Sequence, residues 1–344
     1  MKILMPVLMF QNADFRLDDG NIRGGLERFQ SLVYENIPGI VPVYISYKDR
    51  KWTKIKPILE DAAATHNAAA IFWNEAKGYA VTSAELGLPT ILLNHESGTR
   101  GLAAQTRYEN LQKLADRGGK IYFVSEDAHR KSDIQSKRMT GRSIDFVSGY
   151  VPSAFASGDE KVSERVIYDC GTIGRTDKMK DPFWVHRKLK KSSLTSCVIT
   201  SDAVKEKMQK AYGIPNAHWS EPRFTFRNLN YAQNMDLLAQ FGSYVSTCPQ
   251  ESWGITALEA LAHGVPLILR VDSSGTHASM DHVDLASDYD IVTGKTTVRD
   301  FEDLVRSRLD MSYADRVDLS ERTKRKHSKA NWIAAVSGMF SGLS

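Results

Sequence analysis

The residues best suited to chemistry lie in the string Pro249-Gln-Glu251-Ser-Trp253-Gly254-Ile255-Thr256-Ala-Leu-Glu259-Ala-Leu-Ala-His-Gly264-Val-Pro266. Gly254 interrupts the chain just before a helix-patterned stretch. The amides of Ile255, Thr256 and Ala257 would open that helix with no partner inside it, which suits a phosphate. Glu259 lies about one turn along, and a carboxylate there accepts two hydrogen bonds from a diol such as a ribose. Glu251, in the preceding loop, can do the same for a second sugar. Ala260, Ala262 and Gly264 permit close packing on a sheet, and Gly264-Val-Pro266 ends the helix.

A second string, Cys170-Gly-Thr-Ile-Gly174-Arg175-Thr-Asp-Lys178-Met-Lys180-Asp, follows a strand with a glycine and then cations. A departing nucleoside diphosphate needs such charge compensation. Lys178 and Lys180 compete for the role. Asn21-Ile-Arg-Gly24-Gly25-Leu26 pairs two glycines after the first apolar run, allowing close backbone approach to a phosphate or sugar. Asn94-His95-Glu96 sets a histidine at a strand end, where it can bond a hydroxyl or stabilise developing charge. Asp288-Tyr-Asp290 has a metal-binding spacing but borders an apolar run and is read as a surface loop. No His/Cys cluster has zinc spacing, no phosphate loop of the Gly-x4-Gly-Lys type occurs, and no metal or cofactor is expected.

These strings need a scaffold, and the apolar pattern supplies one. Short apolar runs at 2–9, 39–46, 69–74, 90–94, 120–125 and 144–148 alternate with helical patterns at 26–34, 55–65 and 108–115. The rhythm restarts with strands at 166–168, 196–200, 244–247 and 266–269, and helices at 183–190, 203–212, 235–241 and 255–263. Strand–helix alternation of this kind argues for parallel sheets covered on both faces. The small, polar stretch Ser153–Ser163 reads as a linker. The expected organisation is an α/β chain of two doubly wound, Rossmann-like domains, 1–155 and 164–319, facing across a cleft. A tail helix over about 320–344 returns to the first domain through Trp332, Ile333, Val336 and Phe340.

Composition agrees with that size. The chain has 344 residues, 42% hydrophobic and 25% charged, which excludes a disordered or collagen-like chain. Three scattered cysteines exclude a disulfide framework and suit a reducing, cytoplasmic compartment. No apolar run reaches membrane-spanning length, and Met1–Leu8 reads as a buried strand rather than a signal peptide.

The Glu251/Glu259 string, with Gly264 and Pro266, resembles the Glu-x7-Glu signature of retaining glycosyltransferases of the GT-B fold, family 4-like. Gly174, Arg175 and Lys180 are similar to that family's Gly-Arg-x4-Lys element, and Gly24-Gly25 to its first-domain glycine loop. The resemblance implies transfer from a nucleotide-sugar, most often a UDP-sugar, without a required metal. It implies a catalytic set of His95, Arg175, Lys180 and Glu251. It implies a donor-binding set of Gly24, Gly25, Gly174, Trp253, Gly254, Ile255, Thr256 and Glu259.

The acceptor reading starts from charge. Lys+Arg is 45 and Asp+Glu is 41, a net +4. Gly98–Ser143 alone holds ten Lys/Arg against five Asp/Glu, an excess of five. A basic segment beside a cleft suits a polyanion. The order of elements looks like the T4-type phage DNA α-glucosyltransferases, which implies double-stranded DNA bearing hydroxymethylcytosine as acceptor. Arg100, Arg107 and Arg130 are the candidate phosphate contacts. A cell-envelope polysaccharide, teichoic acid or lipid is the alternative, and a non-catalytic sugar- or nucleotide-binding protein a more remote one.

Overall fold

The computed structural model describes residues 1–9, 17, 25–46, 51–75, 77–95, 102–174, 180–199, 224–227 and 231–343. The chain divides into two compact units. One comprises Met1–Ala154 with Lys329–Ser344, the other Phe155–Ser328.

The first unit is built on a parallel sheet of β1 (Lys2–Met9), β2 (Ile40–Ser46), β3 (Ala68–Asn74), β4 (Thr90–Asn94), β5 (Lys120–Phe123) and β6 (Val147–Tyr150) in the order 2-1-3-4-5-6. Its helices are α1 (Gly25–Asn36), α2 (Trp52–His66), α3 (Lys77–Ser83), α4 (Leu102–Asp116) and α5 (Glu126–Thr140). Ile71, Phe72 and Trp73 in β3 and Ile91, Leu92 and Leu93 in β4 are all buried. Strands covered on both faces read as continuous apolar runs, as these do. β1 pairs with β2 over Ile3–Met9 but with β3 only over Lys2–Leu4. Pro6, lacking an N–H, lies just past that short pairing. The strand order reverses between β1 and β3, so the crevice outside their carboxyl ends is where a ligand would sit.

The second unit carries β7 (Cys170–Ile173), β8 (Ser196–Ile199), β9 (Phe224–Arg227), β10 (Tyr244–Ser246), β11 (Leu267–Arg270) and β12 (Tyr289–Val292), ordered 12-11-10-7-8-9. All are parallel. This is the Rossmann order, with its reversal between β7 and β10. The helices are α6 (Phe183–Leu189), α7 (Tyr231–Leu238), α8 (Ile255–Ala262), α9 (Val298–Leu309) and α10 (Tyr313–Lys326). The helix read at 203–212 lies outside the described residues.

Several elements differ from the sequence reading. The strand read at 166–168 starts at Cys170: Val166 and Ile167 are exposed, and Tyr168 makes a single bridge to Phe241. Gly171 belongs inside that strand because a Cβ would come 2.1 Å from the Phe241 ring. The tail is two helices, with α10 in the second unit and α11 (Lys329–Met339) in the first. Trp332 lies edge-on to Phe29 at 5.9 Å and donates to the Pro152 carbonyl at 2.9 Å. Phe340 lies edge-on to Phe72 at 5.5 Å. Asp288–Asp290 is no surface loop: Asp288 is buried in a two-pronged pair with Arg322 at 2.7 and 3.1 Å, and Asp290 pairs with Arg308 at 2.6 Å.

Candidate active site

In the second unit the two strands flanking the reversal, β7 and β10, each end in one of the motif loops. Gly174 follows β7 directly, and Lys180 is the next described residue. Arg175 and Lys178 lie outside the described residues. Cys248 to Gly254 follows β10. The fold therefore brings Lys180 and Glu251, 71 residues apart, into an ion pair. The Thr247 hydroxyl donates to the Lys180 carbonyl, tying the loops a second time. Burial alone would raise the Glu251 carboxyl. The Lys180 charge and hydrogen bond, with His277 and the Ser252 amide, outweigh it and hold the group below the usual carboxylate range.

Gly254 opens α8 with φ 80°, and a Cβ there would lie 2.1 Å from the Ser279 hydroxyl. Only glycine fits, and the turn aims the first α8 amides, unbonded within the helix, at the crevice. Glu259 sits in the second turn of α8, and the Tyr231 hydroxyl donates to its Oε1 at 2.8 Å. Tyr244, in β10, donates to the Ile173 carbonyl at 3.4 Å and bonds the Thr256 side chain, linking β7, β10 and α8. Burial, with the charges of Glu251 and Glu259, pushes its phenol far up. Ile255 and Thr256 are half-buried at the helix start.

Trp253 is buried, edge-on to His282 at 4.4 Å and to His327 at 5.9 Å. These rings brace the loop that carries Glu251. His277 performs a similar task by hydrogen bonding. It accepts the Ser279 amide on Nδ1, and its Nε2 is 3.0 Å from the Cys248 carbonyl.

In the first unit His95 follows β4, beside the β1/β3 reversal. Its backbone amide donates to Glu75, whose other oxygen pairs with buried Lys77 at 2.7 Å. Glu75 itself has φ 65°, uncommon outside glycine. The His95 Nε2 is 2.5 Å from Asn74 Oδ1, and Nδ1 is 3.3 Å from the Ser153 hydroxyl. The consistent arrangement is a neutral ring that donates to Asn74 and accepts from Ser153. Burial, then the Lys77 charge, lowers its pKa to about 3. At neutral pH the ring is therefore held neutral. Gly25 begins α1, whereas Gly24 lies outside the described residues.

The basic segment does not form one face. Arg130 and Lys131 share Asp127 at 2.6 and 2.8 Å. Lys137 pairs with Asp133 at 2.6 Å. Arg117 holds Glu85 at 3.2 Å and the Val81 carbonyl at 2.7 Å, and Lys120 donates to the Ser341 carbonyl at 3.0 Å. Arg117 and Lys120 flank the α4–β5 turn and Lys137 ends α5, so these three sit at the amino edge of the sheet, away from the ligand crevice. Arg107 lies within α4, and Arg100 outside the described residues.

Asp181, Tyr231, Thr247 and Arg270 join the site without having been legible in the sequence. Among the described residues no group of three His, Cys, Asp or Glu is placed to hold a metal ion, and no helix is long and apolar enough to cross a membrane.

No protein-family model matches the sequence, and no curated protein matches it. Solved structures do. Anabaena Alr3699/HepE in complex with UDP is similar with a TM-score of 0.73 at 12% identity, over 99% of this chain and 100% of that one. Trehalose-6-phosphate synthase OtsA is similar with a TM-score of 0.69 at 11% identity, over 99% of both chains. TarM is similar with a TM-score of 0.61 at 11% identity, over 83% of this chain, which spans 58% of TarM. At such identities the likeness is one of architecture, and with the two parallel sheets described above it gives this chain the GT-B fold.

Proposed function

We propose that the protein is a glycosyltransferase that moves a sugar from a nucleoside-diphosphate sugar, with UDP as the nucleotide, to an acceptor hydroxyl. The observation that carries this reading is the Lys180–Glu251 ion pair at the β7/β10 reversal, beside the free amides of α8. Lys180 and those amides suit a diphosphate, Glu259 a ribose diol, and Glu251 the hydroxyls of the transferred sugar. HepE, similar along the whole chain, has been solved with UDP and with UDP-glucose.

In this reading the bond between the anomeric carbon and the diphosphate oxygen breaks. The acceptor oxygen bonds the same carbon, and its proton passes to the departing diphosphate. Lys180, with Arg175, compensates the charge that develops on the leaving group. Retention at the anomeric carbon follows from the motif resemblance, with attack from the leaving-group face. His95, neutral, serves as a hydrogen-bonding group.

Two acceptors suit such an enzyme. The resemblance to phage DNA α-glucosyltransferases favours hydroxymethylcytosine in duplex DNA, flipped from the stack to reach a buried carbon. The pairing of Arg130, Lys131, Lys137 and Arg117 with carboxylates favours instead an acceptor that is not a polyanion, such as a cell-envelope glycan. The test incubates the protein with UDP-glucose and other UDP-sugars in the presence of hydroxymethylcytosine DNA or a glycan acceptor, and weighs the products. A hexose mass gain on the nucleoside supports DNA. A gain on the glycan alone removes it, and no transfer or donor hydrolysis with any UDP-sugar overturns the enzymatic reading.

A further inference from the structure

The residue after Lys180 combines features a plain surface turn would lack. Asp181 has φ 32°, a conformation that side chains rarely adopt. Its Oδ2 accepts from Arg187 Nη2 at 2.5 Å and from Arg270 Nη1 at 3.2 Å. Its Oδ1 is buried with no partner among the described residues. A strained backbone with a half-satisfied buried carboxylate is destabilising locally, and such features gather at functional sites.

Arg270 ends β11, the strand beside β10. Its Nη1 also lies 3.4 Å from the Thr247 carbonyl, while the Thr247 hydroxyl holds the Lys180 carbonyl. The guanidinium sits over the buried Trp184 ring, 5.4 Å from its centroid, which fixes the plane of its fork. A closed circuit results, from Lys180 through Asp181, Arg270 and Thr247 back to Lys180. It joins the loops on either side of the strand-order reversal to a third strand.

We propose that Asp181 and Arg270 are positioning residues that aim the Lys180 ammonium at the diphosphate of the nucleotide donor. This rests on the donor reading given above. Neither side chain needs to touch the nucleotide, because each acts through the backbone and orientation of Lys180. Lysine at position 270 would keep the charge but lose the guanidinium Nη1, fixed over Trp184, that donates to both Asp181 and the Thr247 carbonyl.

The test measures UDP affinity by calorimetry in wild type, Asp181→Asn, Arg270→Met and Arg270→Lys, alone and combined with Lys180→Met, with thermal unfolding as the check on folding. Both Asp181→Asn and Arg270→Met are expected to weaken UDP binding about tenfold, the worth of one charge-assisted hydrogen bond. Arg270→Lys should recover part of that loss. In the Lys180→Met background the same substitutions should have almost no further effect, since they act through the missing ammonium. A purely structural role would give losses that add in that background, which overturns the proposal. So does UDP affinity within about twofold of wild type in the folded single variants. Should Asp181→Asn fail to fold, Arg270→Lys and Thr247→Val supply the same cycle. A wild type that binds no UDP removes the donor reading, and the positioning role falls with it. Binding by wild type with no loss in the variants removes the positioning role alone.

Discussion

The Lys180 ammonium donates to the Glu251 carboxylate, so the cation suited to a diphosphate and the carboxylate suited to a sugar neutralise one another. In the proposed reading a nucleotide must part them. Both side chains are partly exposed, at 26% and 19%, so the pair itself is modest in strength. Lys180→Met should weaken UDP binding roughly tenfold to a hundredfold. Glu251→Gln frees the ammonium and should tighten UDP by up to roughly fivefold, while abolishing sugar transfer. Calorimetry with UDP and turnover of UDP-glucose check both signs. Weaker UDP binding in Glu251→Gln would mean the pair does not compete with the nucleotide.

Gly254→Ala should destabilise the second unit by about 1–3 kcal/mol, because the left-handed turn and the Ser279 hydroxyl both oppose a methyl group. Ser279→Ala alone should be neutral or stabilising, since its hydroxyl is buried without a partner among the described residues. The double variant should recover part of the Gly254→Ala loss in urea unfolding. Strictly additive changes would mean that the clash is absent.

Stability should fall as pH drops from 6.5 towards 5. Burial holds His95 down to about 3 and His327 to about 4, and His282 well below its usual value. The unfolded chain binds protons in this window and the folded chain does not, so acid favours unfolding. His95 and His327 each cost about 1–2 kcal/mol between pH 6.5 and 5, and His282 acts in the same direction. The second unit, holding two of the three, should show the steeper decline. Urea midpoints at pH 7, 6 and 5 measure it, and His327→Gln should flatten the second unit's curve.

Arg316→Met should cost about 2–4 kcal/mol. The buried guanidinium donates to the carbonyls of Gly264 at 3.0 Å and Ala239 at 3.1 Å, beyond the ends of α8 and α7. Removing it leaves those carbonyls without this donor. An unfolding midpoint unchanged from wild type would show that they find other partners.

The two motif loops are legible because a strand end, a glycine and a charge fall within a dozen residues of one another. Tyr231 and Arg270 are not, since each reaches the site from a different stretch of chain, and Thr247 reads simply as the last residue of a strand. The β7 strand was displaced in the reading because Val166 and Ile167 look like strand residues yet face solvent, whereas Gly171 looks like a breaker yet lies under Phe241. The α5 helix is too polar for apolar periodicity to reveal it. Its ends were nonetheless written: Ser125 caps the Ala128 amide at 3.0 Å, and Gly141 closes it with φ 72°. Charge counting at Gly98–Ser143 is blind to pairing for a related reason. A sum over sequence cannot see that one carboxylate, Asp127, serves both Arg130 and Lys131.

The break between α10 and α11 bears on the order in which the molecule comes into being. The second unit is one continuous stretch of chain, complete once Ser328 has been made. The first unit is interrupted: its sheet is synthesised early, but Trp332 and Phe340 arrive last. Until then Phe29 lacks Trp332 and Phe72 lacks Phe340. The first unit thus waits for residues made after the whole of the second, so the half begun first is sealed last.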